Sequence, residues 1–431
     1  MSRFVIHGGR PLSGELSVSG NKNAALPIIA ATLLTDEEVV LENVPQLRDV
    51  LNMLAILEHL GAEVDLDGNE VRVRTRDVRQ TEIPWELCEQ TRTSFLYVAP
   101  LLSRCGRARV CPPGGDLIGR RRLDPHFYGL RLLGAEVDED EFSFTAPGRL
   151  RGRRLFFDEA SVTATEHLLM AAVQAEGITT ILNAASEPHV QDLGRMLVAM
   201  GARIEGLGTN TIKVEGVERL GGARHRIISD HIEAGSYLAL AAATGGAVTV
   251  HGTARRHYWM MRRVFERFGL DLELGLHHVR VDGSRRARVQ REAGGATPRV
   301  DDGPWPQFPS DMMSPMLVLA TQAEGTVLFF EKMYEGRMWF VDPLVQMGAN
   351  LVVCDPHRVL VMGPSRLHGT TVRSPDIRAG MALIIAALCA ERRPCVVQNA
   401  EVIDRGYERV EEKLHALGAD IQRDRLRPSS C

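Results

Sequence analysis

The stretch Leu60-Gly61-Ala62-Glu63-Val64 closes an amphipathic segment, and its pattern returns five more times along the chain. The other copies are Leu133-Gly134-Ala135-Glu136-Val137, Met200-Gly201-Ala202-Arg203-Ile204, Phe268-Gly269-Leu270-Asp271-Leu272, Met347-Gly348-Ala349-Asn350-Leu351 and Leu417-Gly418-Ala419-Asp420-Ile421. In each, an apolar residue precedes glycine, then come a small or apolar residue, a polar one and an aliphatic one. Glycine in that place takes the positive φ that ends a helix before a strand begins. The six glycines lie about 70 residues apart, too long for a helical solenoid unit and suited to a small α/β module. The spacing predicts six copies of one module.

A second element precedes each of these. Polar residues introduce an Ala/Leu-rich run at Asn21–Leu26, Thr91–Leu96, Ser161–Thr165, Ser229–Ala234, Ser310–Ser314 and Pro375–Gly380. Runs such as Gly235–Gly246 and Gly380–Ala390 are apolar all round, so these helices are expected to be interior. Their polar groups sit at the N-terminal tips, where unpaired backbone N–H groups and partial positive charge favour anions. Ser, Thr and Asp at such tips serve as caps. Capping gives no reason for Lys22, Arg92 and Arg378, whose charge opposes the helix dipole. With Asp311 and Asp376, they form a candidate anion-handling set.

Composition narrows the function classes. The 431 residues are 44% hydrophobic and 25% charged, enough for two domains with substantial cores. A net charge of −4 gives no reason to expect nucleic acid. Seven cysteines form no CxxC pair or disulfide framework, which suits a reducing cytoplasm. Met1–His7 begins a strand and lacks the apolar core of a signal peptide, and no apolar run is long enough to span a membrane. His225, His231, His251, His257, His277 and His278 form no HxxxH or HExxH pattern, so no metal site is expected. Between Gly283 and Gly303 periodicity is lost, which predicts an irregular connection with solvated arginines.

Pro112-Pro113-Gly114-Gly115-Asp116-Leu117-Ile118-Gly119-Arg120-Arg121-Arg122 lies between a strand and a helix. Two prolines, three glycines and three arginines describe a mobile loop able to close over an anionic ligand.

Six motifs carry a resemblance: Ser19–Pro27, the loop 112–122 with the following Leu-Asp, Phe308–Met312, Glu335–Met338, Asp376–Gly380 and Ile403–Ile421. Together they resemble the UDP-N-acetylglucosamine 1-carboxyvinyltransferases, a family of enolpyruvyl transferases, over essentially the whole chain and in the family's order and spacing. The resemblance implies a two-domain inside-out α/β barrel of six βαβαββ repeats, classed as α/β or α+β, with helices buried and sheets outside. Domain I would comprise 1–21 and 229–431, and domain II 22–228 with the loop 112–122. The implied reaction moves enolpyruvate from phosphoenolpyruvate to the 3′-hydroxyl of UDP-N-acetylglucosamine and releases phosphate, with neither metal nor organic cofactor. It would be cytoplasmic, with no nucleic-acid or membrane partner.

Residue by residue, Lys22, Arg121 and Arg405 resemble the family's phosphate contacts, with Arg92 nearby. Arg337 and Arg378 resemble its carboxylate clamp, where a planar fork suits bidentate binding. Asn23 would position the sugar, Asp311 would take the hydroxyl proton, and Asp376 would pair with the cations and assist proton transfer. Asp124, His126, Ser161 and Thr163 match positions around the nucleotide. Asp116 stands where many members carry cysteine and is implied as the general acid. An aspartate titrates near ~3.9 in water, so the closed loop and an adjacent anion must raise it.

Three other departures fall at the acceptor end: Glu159 where relatives often have lysine, Thr163 where a glycine admits the diphosphate, and His231 for a frequent arginine. They keep open a paralogous transferase acting on another nucleotide or sugar hydroxyl. The related shikimate-pathway synthase and a non-catalytic anion-binding regulator on the same scaffold are further alternatives.

Overall fold

The computed structural model describes residues 2–115, 118–119 and 121–425. Contacts divide the chain into two compact units: Met1–Ser19 with Asp116–Arg120 and Ser229–Cys431, and Gly20–Gly115 with Arg121–Ile228. The first boundary therefore lies two residues earlier than the sequence suggested. Ile118 and Gly119, expected with the second domain, pack instead with the first unit, where Ile118 accepts a backbone hydrogen bond from Gly336 at 2.9 Å. A Cβ on Gly336 would lie 2.8 Å from the Ile118 backbone, so glycine permits this close approach.

Each module builds its sheet in the same way. In the unit containing Gly20, Val39–Glu42 pairs parallel with Ala223–Arg226 and antiparallel with Glu70–Arg74, which in turn pairs with Glu63–Asp67. Ile178–Leu182 repeats this with Arg154–Phe156, Thr211–Glu215 and Arg203–Glu205. The third sheet, Arg107–Arg109, Ser143–Thr145 and Glu136–Asp138, has three strands, and a single parallel bridge from Glu82 to Arg109 stands in for the fourth. The other unit forms three four-stranded sheets of the same order. Its last sheet takes Ser2–His7 between Cys395–Gln398 and Asp420–Arg425, with Phe4 opposite both Val397 and Arg423. The chain's first strand thus completes its sixth module.

Six outer helices end at the glycines that define the repeat, with φ between 69° at Gly269 and 110° at Gly61. The inner helices are Lys22–Ala31, Val98–Cys105, Val162–Ala172, His231–Thr244, Met313–Gln322 and Ile377–Cys389. Ile377–Cys389 buries every residue from Ile377 to Leu388, as its apolar sequence requires. It packs with His231–Thr244 and Met313–Gln322 to form the centre of one core, while the other unit has a core of its own. Burying each large aliphatic side chain contributes about 1.5–3 kcal/mol.

Four inner helices receive side-chain caps: Asn21 from the Ala24 N–H, Ser161 from Ala164, Asp230 from Ile232 and Glu233, and Asp376 from Arg378 and Ala379. Where the chain crosses between units, Asn21 N–H donates to the Ile228 carbonyl and Asp230 N–H to that of Ser19.

Candidate active site

Two clusters hold the candidate residues, one in each unit. In the unit containing the chain's first strand, Arg378 is the second residue of the inner helix Ile377–Cys389, and Arg337 follows the strand Gly325–Phe330. Their side chains are each only 5% exposed. Two guanidiniums cannot stay charged at such depth without compensating partners, and Asp311 supplies one to both. Its Oδ1 accepts from Arg337 Nη2 at 2.8 Å, while Oδ2 accepts from Arg378 Nη2 at 3.0 Å and Nε at 3.1 Å.

Burial acts against the charge on each arginine, yet the Asp311 carboxylate keeps both above the ordinary guanidinium range, joined by Asp376 and Glu331 at Arg337 and by Tyr407 at Arg378. Tyr334 lies under Arg337 at 5.5 Å and Tyr407 under Arg378 at 5.3 Å, so each cation also rests on an aromatic face. Asp376 stands 4.0 Å from Arg337 Nη1, with its Oδ1 accepting the N–H groups of Arg378 and Ala379. That aspartate is therefore both a cap and a counter-charge. Arg405, half-buried, ends the 3₁₀ turn Ala400–Arg405, two residues before Tyr407.

The second cluster begins at Lys22, the first residue of its inner helix. Its Nζ lies 2.6 Å from Asp49 Oδ2, and both side chains are buried. Asp49 compensates a cation that the helix dipole disfavours. Asn23 is half-buried beside it. Arg92 opens a 3₁₀ turn and donates through Nη2 to the backbone carbonyl of Arg121 at 2.6 Å, tying the loop's far end to this turn. Arg122 pairs with Asp124 and Asp158, and Asp124 is exposed in the first turn of its helix. Asp116 lies outside the described residues.

Ser161 caps the helix that carries Thr163. Thr163 Oγ1 is 3.2 Å from His126 Nε2, and His126 Nδ1 is 3.1 Å from His167 Nδ1. Burial keeps both imidazoles neutral: it holds His126 well below the usual range, with His167 and Arg92 adding to the effect, and takes His167 down to about 3. Of the departures noted in the sequence, Glu159 is exposed, while His231 is buried with its ring 5.5 Å from His257 and 6.1 Å from Trp305.

Asp311, Arg337, Arg378 and Asp376 thus meet in one unit, whereas Lys22, Asn23, Arg92, Arg121, Asp124, Ser161 and Thr163 belong to the other. Sequence reasoning missed Asp49, Ser310, Glu331, Tyr334 and Tyr407, which hold these groups in place. Asp49 carried a faint signal as an acid in the first turn of an outer helix, where a dipole-complementing residue is ordinary. Among the described residues no group of His, Cys, Asp and Glu could hold a metal ion, and no helix is long and apolar enough to cross a membrane.

Arg378 with Asp376 at the tip of one inner helix, Asp311 ahead of another and Lys22 at the start of a third, in a fold of six α/β modules, define the enolpyruvyl transferase class. The chain belongs to the EPSP synthase (3-phosphoshikimate 1-carboxyvinyltransferase) family, whose model matches residues 6–414. Within it, the chain is 49% identical over 423 residues to the UDP-N-acetylglucosamine 1-carboxyvinyltransferase of Bradyrhizobium diazoefficiens, covering 98% of each. It is likewise 49% identical over 426 residues to the enzyme of that name from Treponema pallidum, covering 98% of this chain and 100% of the relative. Among solved structures, the enolpyruvyl transferase NikO from Streptomyces tendae shares the fold with a TM-score of 0.87 at 23% identity, covering 99% of each chain. EPSP synthase from Acinetobacter baumannii does so with 0.77 at 18%, covering 99% of this chain and 100% of that one.

Proposed function

We propose that the chain transfers the enolpyruvyl group of phosphoenolpyruvate to the 3′-hydroxyl of UDP-N-acetylglucosamine and releases phosphate, the first committed step of peptidoglycan synthesis. The observation that carries this reading is Asp311 held between Arg337 and Arg378. A substrate carboxylate offers the same two oxygens as Asp311 and competes for the same donors. Its arrival would release Asp311 to accept the proton of the acceptor hydroxyl as that oxygen attacks C2. Asp116, in the loop, would protonate C3, giving a tetrahedral intermediate. Loss of a C3 proton then restores the double bond as the C2–O bond to phosphate breaks. Lys22, Arg121 and Arg405, with Arg92, would neutralise the departing phosphate, and Asn23 would orient the sugar. Asp124, Ser161 and Thr163 would line the nucleotide. We place the reaction in the cytoplasm, where both substrates are expected.

Incubating purified protein with phosphoenolpyruvate and a panel of acceptors, and measuring phosphate release, tests the reading. Turnover with UDP-N-acetylglucosamine is expected. Turnover only with another nucleotide or sugar would transfer the assignment to a paralogous acceptor, a reading favoured by Thr163 being hydrogen-bonded to His126 at the helix start. Ligand binding without phosphate release would instead indicate a regulator.

A further inference from the structure

Asp302 and Glu331 are both wholly buried, and Asp302 is hydrogen-bonded to the backbone of Lys332, the residue that follows Glu331, which makes the two acids neighbours. Glu331 Oε1 accepts from the backbone N–H groups of Met333 and Tyr334 at 3.2 and 3.1 Å. Asp302 Oδ1 accepts from the Lys332 N–H at 2.5 Å, but among the described residues Asp302 Oδ2 finds no donor. Two ionised carboxylates in contact at this depth would repel with little solvent screening. A single proton between them supplies the missing donor.

The pair is linked to the active-site cluster through one side chain. Ser310 Oγ donates to Glu331, with its two oxygens at 3.0 and 2.9 Å, and accepts from Arg337 Nε at 3.3 Å. We propose that Asp302 and Glu331 share one proton and, as a singly charged pair, position Arg337 through Ser310 for the carboxylate of the three-carbon substrate. This rests on the enolpyruvyl reading of Arg337 given above.

Burial, reinforced by Asp302 and opposed by Arg337 and Ser310, pushes Glu331 up to about 8. The other charged or titratable groups around it are Asp311 and Asp376 on the far side of Arg337, and Tyr334 beneath that guanidinium. His357 faces the Glu331 backbone carbonyl, and Lys332 pairs outward with Asp301. Deprotonation of the pair adds a second negative charge behind Arg337 and draws it from the substrate. Asp302 and Glu331 are positioning residues in this scheme, since neither touches a reacting atom.

Infrared spectra of the substrate-free protein, recorded from neutral to alkaline pH, test the shared proton. The wild type should lose a protonated-carboxyl band near pH 8, and in Asp302→Asn that loss should move to lower pH. In turnover assays, wild-type KM for phosphoenolpyruvate should rise about tenfold across the same range, the scale of one charge-assisted hydrogen bond, with a smaller change in kcat. Asp302→Asn should flatten that rise, and Ser310→Ala should flatten it while keeping the band. No band in the wild type, or the same KM profile in wild type and Asp302→Asn, would overturn the proposal. Absence of any turnover of phosphoenolpyruvate would instead overturn the enolpyruvyl reading, and with it the role given to Arg337, even where the band is seen.

Discussion

Arg378 holds Asp311 through both Nε and Nη2, a fork that lysine cannot reproduce with a single ammonium. Arg378→Lys keeps the charge and loses the planar contact, so KM for phosphoenolpyruvate is expected to rise about ten- to hundredfold, the equivalent of one charge-assisted hydrogen bond. An unchanged KM in steady-state assays would exclude Arg378 from the carboxylate site. Asp116 makes a chemical prediction that needs only the sequence. Fosfomycin opens its epoxide on a thiolate, the stronger nucleophile, so the wild-type enzyme should retain activity after prolonged incubation, and Asp116→Cys should be inactivated. At this scale the sequence revealed the cations and two of their acids, Asp311 and Asp376, but not the rest of their partners. Lys22 and Arg337 stood out by motif, whereas nothing in the sequence singled out Asp49 or Glu331, and only burial distinguishes them.

Helix ends link local chemistry to the fold. Asp376 caps Ile377–Cys389 and also faces Arg337, and two substitutions separate these roles. Asp376→Asn keeps an accepting oxygen and should leave Tm nearly unchanged while turnover falls. Asp376→Ala should also lower stability by about 1 kcal/mol. Equal activity in Asp376→Asn and wild type would reduce this residue to a cap. At the other end of the module, Gly201 has φ of 105° and open space where a methyl group would be added, so Gly201→Ala tests conformation alone. It should cost about 1–2 kcal/mol in denaturant unfolding. Gly348→Ala should cost more, because its added carbon would lie 3.0 Å from His368 and 3.1 Å from the Arg366 carbonyl. These glycines were legible because positive φ is a local demand that one residue type meets without strain.

For the whole molecule, buried titratable groups set opposite slopes of stability with pH. His167 is depressed to about 3 by burial, so the unfolded chain binds its proton first as pH falls below the ordinary imidazole range near 6.5, and stability drops from there towards pH 3. Glu331 is raised from 4.5 to about 8, chiefly by burial, so the folded state holds that proton longer, and its contribution fades as pH rises from 4.5 through 8. Melting temperatures across pH should show His167→Asn flattening the acid limb and Glu331→Gln the alkaline limb. Unaltered limbs would mean that other groups dominate. The sequence by itself determined the sixfold module, the interior helices and the motifs bearing cations, since periodicity, glycine placement and helix tips are written in consecutive residues. Tertiary structure alone decided that Ile118 packs on Gly336, that Lys22 meets Asp49, and that Asp302 meets Glu331 behind Ser310. These contacts join residues distant in the chain or on separate turns, and whether an acid is solvated or buried depends on what the fold brings against it.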